Sequence, residues 1–261
     1  MEFLYLIFYA CLRLQFLDVE TNLISRRLVP TVCRLLRSNV RGLAGNLSDL
    51  TVASSRYDIL LCSETLVSDM RHMSELLVPR FGRPVLLCRG RLPRAGGMVA
   101  YVRDGYGAFR QPKFECGNCC EMLVLGVCSA RWNLYVFIYY CNSDLDQRIF
   151  DCLRKLIYAV QAEDVRLVRA FFLFVGDLNS HHQEWLGSTS TNRHGVAAFD
   201  FATVFECDQL VVSHTHACSR TLDVLMTDVP DLVRVSVVAP IGNSDLSYLS
   251  AVISMAQAVP Y

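Results

Sequence analysis

A carboxylate and an amide two positions apart close the stretch FFLFVGDLN at 171–179. Five apolar residues, aromatic and β-branched enough to form a buried strand, end abruptly in Gly-Asp-Leu-Asn. Side chains alternate with period two along a strand, so Asp177 and Asn179 are expected on one side of its mouth. Gly176 is expected to let the backbone turn close by. Asp177 would orient a water; Asn179 would fix it or contact a phosphate oxygen. An ordinary Asx turn after a strand accounts for the same two residues equally well.

Other apolar segments finish in polar residues that a buried strand has no packing reason to carry. They are Asn39, Glu64, Tyr140, Asp223 within TLDVL, and Asp245 in Gly242-Asn243-Ser244-Asp245. Singly, each has a plain alternative: Asn39 as a turn residue, Glu64 as a helix-terminal charge, Tyr140 as a half-buried phenol. Asp223 is harder to excuse, because a carboxylate flanked by Leu222 and Val224 demands a partner. Together they supply oxygen donors of the kind that hold one hard divalent cation and position a water.

The segments that must place these groups alternate in type. Strands are expected at 32–40, 57–62, 97–103, 121–129, 133–140 and 171–175, and shorter ones at 209–212, 221–226, 233–238 and 248–254. Helices are expected at 43–54, at 145–161, where Ile149, Leu153, Leu156, Ile157 and Val160 fall at helical spacing, and at 195–205. No repeat or low-complexity linker divides the chain, so α/β layers in one domain are the economical reading. A hydrophobic content of 52% against 19% charged residues marks a folded globule rather than a disordered chain.

Formal net charge is zero, which removes the electrostatic case for a general nucleic-acid binder. Lysine occurs only at Lys113 and Lys155, and arginine suits bidentate phosphate contact, although codon usage produces the same skew. Arg80, Arg83, Arg89, Arg91 and Arg94 form a dense basic run with Pro79, Pro84 and Pro93, read as a loop that holds a DNA backbone or is simply solvated. Asn192 and Arg193, in the loop 188–195, either reach substrate or cap the helix that follows. Twelve cysteines lie mostly in apolar segments without disulfide-scaffold spacing, and neither Cys116/Cys119/Cys120 nor His214/His216/Cys218 completes a zinc site. The apolar segment 1–29 has an uninterrupted run, 3–12, shorter than the roughly 20 residues a membrane span needs. Glu2 stands where a signal peptide carries basic residues, so the segment is expected outside the core domain or packed on it. The core domain then runs over 30–258, with 259–261 a tail. Neither a membrane partner nor a clear oligomer signal is present, and the chain reads as intracellular.

The order Asn39, Glu64, Tyr140, GDLN at 176–179, TLDVL at 221–225 and Ser244-Asp245 resembles the endonuclease/exonuclease/phosphatase superfamily. It is most similar to the apurinic-type endonuclease domain of non-LTR retrotransposons, through NVRGL at 39–43, GDLNSHHQEWLGS, TLDVLMTDVPDL and PIGNSD. The resemblance implies a DNase I-like four-layered α/β sandwich: two packed mixed β-sheets flanked by helices, with the site at one rim. It implies Mg2+ (or Mn2+) held chiefly by Glu64 with Asn39, and Asp245 nearby. Asp177 would orient or deprotonate the attacking water, Asn179 would hold water and phosphate, and Tyr140 would contact phosphate or leaving group. Asp223 would orient a catalytic histidine. The implied chemistry is hydrolysis of a DNA phosphodiester leaving a 3′-hydroxyl, with a reverse transcriptase domain of the same polyprotein as partner and a nuclear location. The pattern departs at Leu246, which stands where the superfamily's Ser-Asp-His has its histidine. Asp223 is then expected to lack its imidazole partner and to take up a proton, and activity is expected to be impaired. Cys141-Asn142-Ser143 also replaces the usual Arg and Pro after Tyr140. A nucleic-acid-binding remnant without catalysis, a lipid or small-molecule phosphatase, and a product without a role are the competing readings.

Overall fold

The computed structural model describes residues 32–69, 74–87, 96–112, 121–128, 132–141, 148–163, 169–216, 221–240, 244 and 246–254. The N-terminal apolar segment, the three-residue tail, Arg89, Arg91, Arg94, the Cys116/Cys119/Cys120 cluster, Cys218 and Asp245 lie outside the described residues.

Two six-stranded mixed sheets form the centre. Sheet 1 contains β1 (Val32–Asn39), β2 (Ile59–Ser63), β3 (Val85–Leu87), β4 (Met98–Val102), β11 (Val233–Val238) and β12 (Tyr248–Ser254), in the order β11-β12-β1-β2-β4-β3. Sheet 2 contains β5 (Gly107–Arg110), β6 (Glu121–Cys128), β7 (Trp132–Tyr140), β8 (Arg169–Asp177), β9 (Asp208–Gln209) and β10 (Asp223–Thr227), in the order β5-β6-β7-β8-β10-β9. Each sheet has one parallel pair at its heart, β1/β2 and β7/β8, and each pair is joined through a crossover helix. These are α1 (Leu43–Ser54) and α2 (Arg148–Glu163), the connection that parallel neighbours require. Short α3 (Gln183–Leu186) and α4 (Arg193–Val204) follow β8.

Alternation along the strands builds three cores. Inward residues such as Cys33, Leu35 and Leu61 of sheet 1 meet Leu125, Ile138, Val175 and Leu225 of sheet 2. The outer face of sheet 2 packs on α2 and α4 through Phe137, Phe174, Leu153 and Phe201; that of sheet 1 packs on α1 through Leu36, Leu43 and Leu60. Helix, sheet, sheet, helix is the four-layered sandwich expected from the sequence.

Several local expectations change. β3 and β5 were not anticipated; β3 is three residues long and lies inside the Arg80–Arg94 run that reads as loop in sequence. The strand expected at 171–175 extends over Arg169–Asp177, which makes Asp177 its last residue. The strand expected at 209–212 shrinks to Asp208–Gln209. Gly176 sits within β8 rather than at a turn, and its lack of a side chain serves close approach: a Cβ there would stand 2.0 Å from the carbonyl oxygen of Tyr139 on β7.

Candidate active site at the end of both sheets

Parallel pairing brings the carboxyl ends of β1 and β2 together, with Asn39 opposite Ser63, and those of β7 and β8 together, with Tyr140 opposite Asp177. β10 runs antiparallel to β8, so its first residue, Asp223, lies opposite Asp177. Asn39, Tyr140, Asp177 and Asp223 share the parity of Leu35, Ile138, Val175 and Leu225, so all four face the space between the sheets. Glu64 follows β2 directly. The segment before β12 reaches the same end, where the Ser244 hydroxyl donates to the Asn39 carbonyl at 2.9 Å. Six residues distant in sequence thus converge at one rim.

The backbone is bent to make this mouth. Glu64 and Asn179 are non-glycine residues in the left-handed region, with φ of 52° and 46°. Such conformations persist where surrounding contacts over-determine them. Asp177 Oδ1 accepts from the Asn179 amide at 2.9 Å, so the Asx turn is present within the cluster. β8 ends at Asp177, so strand alternation does not place Asn179; instead its side-chain amide donates to the Cys141 carbonyl at 2.6 Å. The Asn39 side-chain oxygen accepts from the Arg41 amide at 3.2 Å. The Tyr140 hydroxyl is hydrogen-bonded to the Glu64 carboxylate; burial, then Glu64, holds its proton on far above the ordinary phenol range.

Arg37 is the residue that sequence reading missed. It shares the inward parity of Asn39 and Leu35, is 1% exposed, and sets Nη2 2.8 Å from Asp223 Oδ1, itself on a 1% exposed side chain. Asp223, expected from the sequence to demand a partner and to lack an imidazole, has a guanidinium beside it. The contact is a close charge pairing rather than an aligned hydrogen bond, since Arg37 Nη2 and Nε and both Asp223 oxygens lack aligned partners. Burial raises the Asp223 carboxyl above its ordinary range, against the pull of Arg37. Asp177 is pushed up to about 7 by burial first and by Asp223 second, with Arg37 and the Asn179 amide opposing. A charged residue at an inward position of CRLLRSN was the available signal for Arg37.

Leu246 is buried and forms an isolated antiparallel bridge with His216. His216 is half-buried, and its charge is felt by Asp223. An imidazole thus stands at the edge of the site, delivered by the segment before β10; nothing local in the sequence separates His216 from His214. The Asn192 side-chain oxygen accepts from Gly195 N at 2.8 Å and His181 N at 3.1 Å, which makes it the cap of α4. Arg193 is the first residue of that helix.

Among the described residues no three His, Cys, Asp or Glu side chains converge to hold a metal. The donors present are nevertheless hard oxygens, and Ser63 Oγ and the Asp223 oxygens are buried without aligned hydrogen-bond partners. Mg2+ is commonly held by one or two carboxylates, with water and substrate phosphate completing its shell, so Glu64 and Asn39 fit such an ion.

No protein-family model matches the sequence, and no curated protein matches it. Solved structures do match in shape. The endonuclease domain of TRAS1, a telomere-specific non-LTR retrotransposon, superposes with a TM-score of 0.64 at 18% identity, covering 87% of this chain and 100% of that one. The AP endonuclease LMAP from Leishmania major gives 0.66 at 12% identity, over 85% and 88% of the two chains. Truncated TDP2 from Caenorhabditis elegans gives 0.57 at 14% identity, over 85% and 97%. The fold is that of the endonuclease/exonuclease/phosphatase proteins, the DNase I-like sandwich.

Proposed function

We propose that this chain is a DNA-nicking phosphodiesterase domain of the non-LTR retrotransposon type, with a weakened catalytic apparatus. The convergence of Asn39, Glu64, Tyr140, Asp177 and Asp223 at the rim of a sandwich shared with nucleases carries this reading. Glu64 and Asn39 would hold Mg2+ or Mn2+, with Asp245 as a third donor. When bound, such an ion neutralises charge on a phosphoryl oxygen and makes a water more acidic. Asp177, with its carboxyl raised to about 7, is matched to accept a proton near neutral pH. Asn179 would steady the phosphate, and the Tyr140 hydroxyl, held by Glu64, would orient toward the phosphate or leaving group. Leu246 has no proton to give, and an acid–base group at such a position is worth about 10²–10⁴ in rate. In the retrotransposon setting the nick would leave a 3′-hydroxyl for a reverse transcriptase of the same polyprotein, which places the reaction in the nucleus.

Nicking of supercoiled plasmid with Mg2+ tests this. The wild-type chain is expected to nick slowly, Asp177→Asn not at all, and Leu246→His faster than wild type. Nicking by Asp177→Asn at the wild-type rate would remove the assignment. Equal, robust nicking by wild type and Leu246→His would remove the impairment. The buried apolar Leu246 favours a second reading, a DNA-binding domain without chemistry, which predicts binding with no Mg2+-dependent nicking at any enzyme concentration.

A further inference from the structure

Sheet 1 carries a second set of charges that this chemistry does not use. Arg34 lies five residues before Asn39 on β1, roughly 16 Å along the strand, and has the opposite parity. It is exposed on the outer face while its neighbours Cys33 and Leu35 enter the inter-sheet core. There Arg34, Arg56 and Arg103, with Ser55, Asp58 and Ser250, line an open cavity of ≈ 450 Å³.

Three guanidiniums face one carboxylate, and that carboxylate is already engaged. Asp58 accepts from the Arg34 amide at 2.8 Å and pairs with Arg103 Nε at 3.3 Å. Arg103 is committed to structure, because its guanidinium also donates to the carbonyls of Ser54, Ser55 and Tyr57. The side chains of Arg34 and Arg56 are exposed, with no ion pair among the described residues. Strand register extends the row: Arg34 lies opposite Val252, and Val252 lies opposite Arg234, so a third exposed arginine stands two strands away on the same face. Two strand spacings are about 10 Å. β11 and β12 contain no acidic residue. Tyr248, half-buried, stands edge-on to Tyr57 with ring centroids 6.5 Å apart, and Arg56 acts on its hydroxyl. On a chain of zero net charge, such a patch is a local concentration rather than the overflow of a basic protein.

We infer that this outer face is a second nucleic-acid contact, in which Arg34, Arg56 and Arg234 hold backbone phosphates of one strand and Tyr248 offers its ring to a base. Guanidinium forks match phosphate oxygens, and aromatic stacking accepts any base. The choice of a nucleic acid as ligand rests on the nuclease reading; the test does not use cleavage. Binding of the full chain to a fluorescein-labelled single-stranded oligonucleotide is measured by anisotropy in EDTA over a range of salt. The Arg34→Ala/Arg56→Ala/Arg234→Ala variant is expected to bind at least tenfold more weakly. Its slope of log affinity against log salt should be shallower by about 2, as the loss of three single-strand phosphate contacts requires. Circular dichroism checks that the variant is folded. Wild-type affinity and slope in the triple variant would overturn the proposal while leaving the nicking result untouched. Displacement of the oligonucleotide by millimolar inorganic phosphate would also overturn it, showing a site for one phosphate group rather than for a strand.

Discussion

A guanidinium in the dry space between two sheets, 2.8 Å from one carboxylate and within the field of a second, determines how much charge the rim can hold. Removing one partner of a buried pair leaves the other uncompensated, which costs about 3–5 kcal/mol, whereas replacing both by apolar groups is often neutral. Arg37→Met and Asp223→Leu are each expected to lower unfolding free energy by about that amount. The double variant should recover most of it, measured by urea denaturation at pH 8 in EDTA. Two singles that add, with no recovery in the double, would show that the pair contributes nothing as a pair. Arg37 was visible in the sequence as an irregularity of CRLLRSN. That it answers Asp223 was not, because the two residues lie on different sheets and meet only when those sheets pack.

The parallel pair β7/β8 is the element on which the rim depends, since it sets Tyr140 and Asp177 side by side. Gly176 permits that approach: a Cβ would meet the Tyr139 carbonyl oxygen at 2.0 Å and its ring at 2.8 Å. Gly176→Ala must push the strands apart one residue before Asp177. Overpacking of this kind costs about 1–3 kcal/mol, and the displacement falls on the site itself. A lowered melting temperature with a larger proportional loss of DNA nicking is expected; an unchanged melting temperature would show that β7 yields without strain. The sequence marked Gly176 as special but for a different reason, a turn, because close approach of a neighbouring strand leaves no local trace. The cap of α4 was legible as one of two alternatives. Only the hydrogen bonds from Gly195 and His181 to the Asn192 side chain chose between them.

At the scale of the whole molecule, closing two sheets over Asp177 and Asp223 makes global stability depend on pH. Both carboxyls are raised above their unfolded values, near 3.9, by burial first. Between about pH 4 and 7 the folded state therefore binds more protons than the unfolded chain. The stability that Asp177 contributes is full below pH 4 and is lost as pH climbs through about 7, the sign opposite to that of a salt-bridged surface aspartate; Asp223 acts in the same direction. Asp177→Asn cannot lose a proton, so its stability relative to wild type should rise steadily across that window. Urea midpoints at half-unit steps in EDTA would measure it, and a constant difference between the two proteins would exclude the effect.

The one-dimensional pattern was enough for α/β layers in one domain and for which strands end in oxygen-bearing residues; the two-sheet, four-layer architecture came from the resemblance of the motifs. Periodicity and local polarity are properties of neighbours along the chain. What packing alone decided is which of those groups share a space. Arg37 entered the rim because its strand parity turns it inward against the other sheet, and His216 came to stand beside Leu246 through a bridge between distant segments. The Coulomb energy of a charge depends on distance and burial, and neither exists until the sheets close.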